Sequence, residues 1–177
     1  MNYLAIDVGG TFIKYAVITD ECMIEKKSKI PTPQEGLEEF LLALTGIYEA
    51  VRRVVNLEGI ALSIPGMIDS KRGFMYTGGS LEYINNLNIV EVLRNRTGIP
   101  VTVENDAKCA AVAEVWKGAL KDCENAVVIV CGTAIGGAVI RNREVISGKH
   151  FMAGEFSYIM TDSKEEYKRS NCLADTA

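Results

Sequence analysis

No stretch of apolar residues in this 177-residue chain reaches membrane-spanning length, since crossing the hydrocarbon core takes about 20 of them. The N-terminus lacks the basic segment followed by an apolar one that marks a secretory leader. Basic residues are not in excess: 19 Lys and Arg stand against 23 Asp and Glu, a net charge of −4. A nucleic-acid surface needs a positive face, so nucleic acid is not an expected partner. Cysteines number five, Cys22, Cys109, Cys123, Cys131 and Cys172, an odd count with no C-x-x-C pair. This argues against a disulfide framework or a zinc site, and most of them are expected as small buried thiols in a reducing cytoplasm. The only histidine, His150, follows Lys149 and reads as a loop residue.

What is present is an ordinary globular composition, 48% hydrophobic and 24% charged. Tyr3–Ile6 and Ile13–Ile18 read as two strands joined by Asp7-Val8-Gly9-Gly10-Thr11, and Met23–Ile30 as a third strand ended by Pro31 and Pro33. Leu37 to Val55 carries apolar residues at helical spacing. Strand Gly59–Ile64 follows and stops at Pro65-Gly66. A strand, a helix and a strand form a crossover, so the sheet is at least partly parallel. Residues 66–86 read as a long loop, 89–96 as a helix stopped by Gly98 and Pro100, and Val101–Glu104 as a short strand. A helix capped by Asn105-Asp106 then runs to about Lys117. From Ala126 the opening arrangement restarts: strand 127–131, a glycine-rich turn Gly132–Gly137, and strand 138–141. This repeat implies a lobe over 1–117 and the start of a second over 118–177. The second lobe is expected to be truncated, because its last residues, Glu165 to Ala177, begin what reads as a helix.

Four places carry candidate chemistry. In the first turn, glycines let backbone N–H groups converge on an anion. Thr11 adds a hydroxyl, Lys14 a charge for a phosphate, and Asp7 a carboxylate for Mg²⁺, directly or through water. The same residues also make an ordinary tight hairpin. Gly132-Thr133-Ala134-Ile135-Gly136-Gly137 offers the same two readings, and it leads into a strand rather than the helix a dinucleotide fingerprint requires. Asp106 stands at a strand-to-helix junction, where the helix dipole favours an ionised carboxylate suited to a general base. It is equally a preferred helix cap. Glu155, after Gly154, is a candidate ligand-contacting carboxylate or a solvated one.

In this order, Asp7–Thr11, Pro65-Gly66, Glu104-Asn105-Asp106-Ala107, Gly132–Gly137 and Ala153-Gly154-Glu155-Phe156 resemble the ROK family of bacterial sugar kinases, repressors and open-reading-frame proteins. The resemblance covers essentially the whole chain. It implies an α/β, actin-like ATPase (ribonuclease H-like) fold, with a mixed sheet and flanking helices. It implies ATP and Mg²⁺ as cofactors, a sugar as small-molecule partner and a homodimer, while the acidic charge, the lack of an apolar span and the unpaired cysteine count are the grounds for expecting no nucleic-acid or membrane partner and a cytoplasmic location. Asp7, Gly9, Gly10, Thr11 and Lys14 would form one phosphate loop, and Gly132, Thr133 and Gly136 would belong to the other. Asn105 and Glu155 would bind sugar hydroxyls, Pro65 and Gly66 would line the sugar pocket, and Asp106 would take the proton from the attacking hydroxyl.

Two departures matter. Ala134 stands where the second phosphate loop usually has Gly. Ser157-Tyr158 replace the Gly-His of the glucokinase-like members, and no cysteine-rich zinc motif follows. The chain thus resembles the zinc-free branch, which acts on hexoses, amino sugars and β-glucosides. Two alternatives are a sugar-responsive regulator and a catalytically inactive sugar-binding protein. Regulators of the family carry a helix-turn-helix before the first strand, and with a first strand from Asn2 none is expected here.

Overall fold

The computed structural model describes residues 1–132 and 135–159. It divides into two compact units, Met1–Asp106 and Ala107–Ala177. The expectation set the boundary after Lys117; by contacts, helix α3 (Asp106–Lys117) belongs almost wholly to the second unit.

In the first unit, β1 (Asn2–Val8), β2 (Phe12–Thr19) and β3 (Ile24–Pro31) form an antiparallel meander, and β4 (Gly59–Ile64) and β8 (Val101–Asn105) extend it in parallel. The five-stranded order is β3-β2-β1-β4-β8. Helix α1 (Leu37–Arg52) makes the crossover and buries Phe40, Leu41, Leu44, Ile47, Tyr48 and Val51. It ends sooner than its apolar spacing suggests, and Val54 is exposed. Helix α2 (Ile89–Thr97) is capped by the Asn88 side chain, which accepts from the Glu91 N–H at 3.1 Å, and it ends at a left-handed Gly98. These caps satisfy terminal backbone groups that the helix itself leaves unpaired.

Residues 66–86 differ most from expectation. They contain β5 (Ile68–Asp69) and β6 (Phe74–Thr77), which with β7 (Asn85–Asn88) form a three-stranded antiparallel sheet. Ile68, Met75, Leu81 and Ile84 are buried in the unit's core, so apolar anchors too sparse to show a period still hold the segment down.

The second unit has β9 (Ala126–Cys131), β10 (Ile135–Arg141) and β11 (Glu144–Val145) in the order β11-β10-β9, an antiparallel meander like β1–β3. Strand β10 starts at Ile135, so Gly136 and Gly137 are strand residues paired with Val130 and Ile129 rather than part of a turn. Ala111, Val115, Ala138 and Ile140 are its buried cluster, while Val112, Trp116, Val127 and Ile129 are exposed. Of the described cysteines, Cys22, Cys109 and Cys123 are half-buried and Cys131 is exposed, contrary to the expectation of buried thiols. Cys131 ends strand β9, and Cys22 occupies a turn at positive φ. No helix among the described residues is long and apolar enough to cross a membrane.

Candidate functional site

Parallel register brings the first unit's candidates to one end of its sheet. Asp7 lies opposite Ser63, and Ser63 opposite Glu104, so three polar side chains stand in one row at the carboxyl ends of β1, β4 and β8. Such strand ends are where open α/β sheets place ligands. Ser63 Oγ donates to Asp7 Oδ1 at 2.9 Å. Lys14, opposite Asp7 on β2, sits 3.8 Å from Asp7 Oδ2, and both are well exposed. Lys14 thus pairs first with Asp7 rather than standing clear for a phosphate. Ser70 Oγ donates to Glu104 Oε2 at 2.7 Å, and Glu104 Oε1 accepts from the Asn105 N–H at 2.8 Å. Neither Ser63 nor Ser70 is visible as a site residue in sequence, because their partners are 56 and 34 positions away.

The Gly9-Gly10-Thr11 turn is closed by the Gly9 N–H donating to the Phe12 carbonyl at 3.0 Å. The N–H groups of Gly10 and Thr11 have no acceptor among the described residues. Gly10 and Thr11 are exposed, so two amides and a hydroxyl are available to an anion. Beyond the turn, Tyr83 OH donates to the Pro33 carbonyl at 2.8 Å. Burial, and then the charge of Glu35, push the Tyr83 phenol above its ordinary pKa and keep it a donor.

Strand β8 runs straight into α3, with Asn105 its last residue and Asp106 the first of the helix. Asn105 is buried, Asp106 is exposed, and Asn105 Nδ2 donates to the Gly66 carbonyl at 3.2 Å. Gly66 has φ +117°, and a Cβ there would overlap the Thr77 carbonyl. Only glycine lets the backbone pass at this point. Gly79 packs close by, where a Cβ would come within 3.3 Å of Pro65 Cβ. Pro65, Gly66, Asn105 and Asp106 thus form one corner.

The second unit holds the other candidates. Gly136 faces α3, where a Cβ would lie 3.2 Å from Ala107 Cβ. Gly132 is exposed at the end of β9, and Thr133 and Ala134 lie outside the described residues, as do Cys172 and the helix expected from Glu165. Glu155 is half-buried and precedes a single 3₁₀ turn, Phe156–Tyr158. Its segment is seated on β10: Gly154, at φ +86°, leaves a Cβ only 2.6 Å from Ala138 Cα, so a side chain there has no room. Lys108, 1% exposed, donates through Nζ to the Phe151 carbonyl at 2.7 Å and ties α3 to the same segment. Sequence reasoning missed Lys108, which resembles any surface lysine on a helix. His150 is exposed in a turn.

The family model described as ROK family matches residues 3–173. Beta-glucoside kinase from Klebsiella pneumoniae is 37% identical over 163 residues, 92% of this chain and 54% of its own length. Among solved structures, ROK hexokinase from Thermus thermophilus has a TM-score of 0.79 at 32% identity, over 100% of this chain and 60% of that one. A ROK family glucokinase from Streptomyces griseus, in complex with glucose and AMPPNP, has a TM-score of 0.85 at 25% identity, over 98% of this chain and 55% of that one. The mixed α/β, actin-like ATPase fold implied by the motifs is the fold of the chain. The chain spans about half the length of the curated relatives it matches.

Proposed function

The chain belongs to the ROK family, and from that premise we propose that its protein transfers the γ-phosphate of ATP to a hydroxyl of a hexose or hexose derivative. The observation that carries this reading is the register of β1, β4 and β8. It gathers an anion-binding turn, the Gly66 corner and the Asn105-Asp106 pair at one sheet end. Related proteins named for kinase activity on β-glucosides, glucose and N-acetyl-D-glucosamine support this substrate class.

On this reading Asn105 orients the sugar, its own amide held by the Gly66 carbonyl. Asp106, exposed beside it, accepts the proton of the attacking hydroxyl. Phosphoryl transfer asks mainly for positioning and charge stabilisation. The Gly10 and Thr11 amides and the Thr11 hydroxyl hold phosphate oxygens. Glu155, fixed by Gly154 against β10, supplies further sugar contacts. Gly132, Thr133 and Gly136 belong to the second phosphate segment, and Lys14, 3.8 Å from Asp7, adds positive charge beside the first.

Asp7 fits Mg²⁺: its carboxylate is half-exposed and kept in place by Ser63, and oxygen ligands with retained waters suit this ion. Bound there, Mg²⁺ would supply positive charge to the phosphates. Ser63→Ala is expected to raise the Mg²⁺ concentration for half-maximal rate by roughly 2–10-fold, while stability falls by no more than about 1.5 kcal/mol. An unchanged Mg²⁺ titration would detach Ser63 from the site.

We place the activity in the cytoplasm, where ATP is available, and in a homodimer, which sedimentation of the intact protein tests. The experiment for the function is a coupled phosphorylation assay with ATP against hexoses, N-acetylhexosamines and β-glucosides. The expected result is turnover on at least one class. No turnover on any of them, by intact folded protein with Mg²⁺, removes the kinase reading in favour of sugar binding alone.

A further inference from the structure

We propose that Thr32 is a positioning residue for the Gly9–Thr11 turn, acting with Gln34 to aim its amides at phosphate. The inference rests on the phosphoryl-transfer reading and deepens it. Three successive carbonyls of the turn are all bonded to one segment. Thr32 Oγ1 donates to the Gly9 carbonyl at 2.7 Å, Gln34 Nε2 to the Gly10 carbonyl at 3.1 Å, and the Thr32 N–H to the Thr11 carbonyl at 3.0 Å.

No peptide in the described chain is cis. In a trans peptide the N–H points opposite to the C=O it is bonded to. Holding the carbonyls of Gly9, Gly10 and Thr11 on the 32–34 side therefore turns the N–H groups of Gly10, Thr11 and Phe12 to the other side. Glycine-rich turns have many alternatives, and without a brace these amides would sample them.

The brace is itself held. Thr32 is 5% exposed, Gln34 Nε2 also donates to the Thr32 carbonyl at 3.0 Å, and Tyr83 OH fixes the Pro33 carbonyl between them. Tyr83 in turn packs its ring against Phe40 of the core, with centroids 5.8 Å apart. The turn's orientation is thus set from the hydrophobic core outward. Thr32 touches no reacting atom on this account. Its effect is on the affinity for the phosphates.

The test compares Thr32→Val, which keeps the shape and loses the hydroxyl, with Thr32→Ser, which keeps the hydroxyl. In the intact protein, Thr32→Val is expected to raise KM for ATP and the ATP dissociation constant by roughly 3–10-fold. KM for the sugar should stay within about twofold, and Thr32→Ser should stay near wild type in all three. Backbone amide exchange at Gly9 should quicken in Thr32→Val and not in Thr32→Ser. Unchanged ATP affinity in Thr32→Val, or a sugar KM that rises as much as that for ATP, overturns the proposal. So does failure of Thr32→Ser to restore ATP binding while its melting temperature matches wild type. Titration with ATP needs no sugar and separates the two readings. Wild-type protein that binds ATP yet phosphorylates no sugar sinks the kinase function while the brace is still tested, and wild-type protein that binds no ATP overturns the brace.

Discussion

Asp106→Asn is expected to lower turnover by at least about 10²-fold in the intact protein, with the sugar KM moving only slightly. The substitution keeps the shape and hydrogen-bonding reach of the side chain and removes its capacity to accept a proton. It also separates the two roles this residue could have. Asn is as good at a helix start as Asp, so a purely structural Asp106 would tolerate the change with its activity intact. A base would not. Thermal denaturation should show a shift of no more than a few degrees, because the exposed side chain at the head of α3 contributes little packing. Turnover close to wild type would remove Asp106 from the chemistry whatever its position.

Gly66→Ala is expected to damage both fold and affinity. At φ +117° an added Cβ falls against the Thr77 carbonyl, and backbone cannot swing aside as a side-chain tip can. Strain at such a φ and overpacking of this kind each cost about 1–3 kcal/mol, so a loss of about 2–6 kcal/mol is expected by denaturant titration. Relief by moving the chain would displace the Gly66 carbonyl, which Asn105 Nδ2 uses at 3.2 Å. Displacing a substrate-orienting group by an ångström can cost about 10²-fold in efficiency, so the sugar KM of any folded variant should rise about tenfold or more. A variant with normal stability and normal sugar KM would show that the Gly66–Asn105 contact is incidental.

The two replacements act at different levels. Asp106→Asn leaves the corner standing and removes one proton acceptor. Gly66→Ala leaves the acceptor and deforms the corner. Both changes fall at the carboxyl ends of β4 and β8, whereas Thr32→Val falls beside the Gly9–Thr11 turn, so the three together report on separate parts of one sheet end.

Much of this was readable from local pattern. The apolar stripe of α1 lies in the sequence at its 3.6-residue period, and the same residues, Phe40 to Val51, are buried. Gly98 acts as the helix stop that its type favours. The Asp7–Thr11 and Glu104–Asp106 motifs could be named because their parts are contiguous. The segment 66–86 was not legible as structure. Its strands are two and four residues long, too short to display alternation, and they are held by pairing with each other and with β7. Gly136 and Gly137 looked like turn residues because glycine usually marks turns. In the fold they are strand residues, kept small because the Ala107 side chain and the Phe156 ring lie directly over them.

The sequence alone determined the order of the longer strands and helices, the restart of the meander near Ala126 and the chemical types available to a site, because these depend on period, capping and turn preference among near neighbours. Only the tertiary structure decided which of those residues meet. The parallel register of β1, β4 and β8 sets Asp7, Ser63 and Glu104 side by side across gaps of some tens of residues. Thr32 reaches back to Gly9, and Asn105 to Gly66. Those contacts are fixed by burial of one sheet face and by backbone pairing between distant strands, and neither leaves a mark in local sequence.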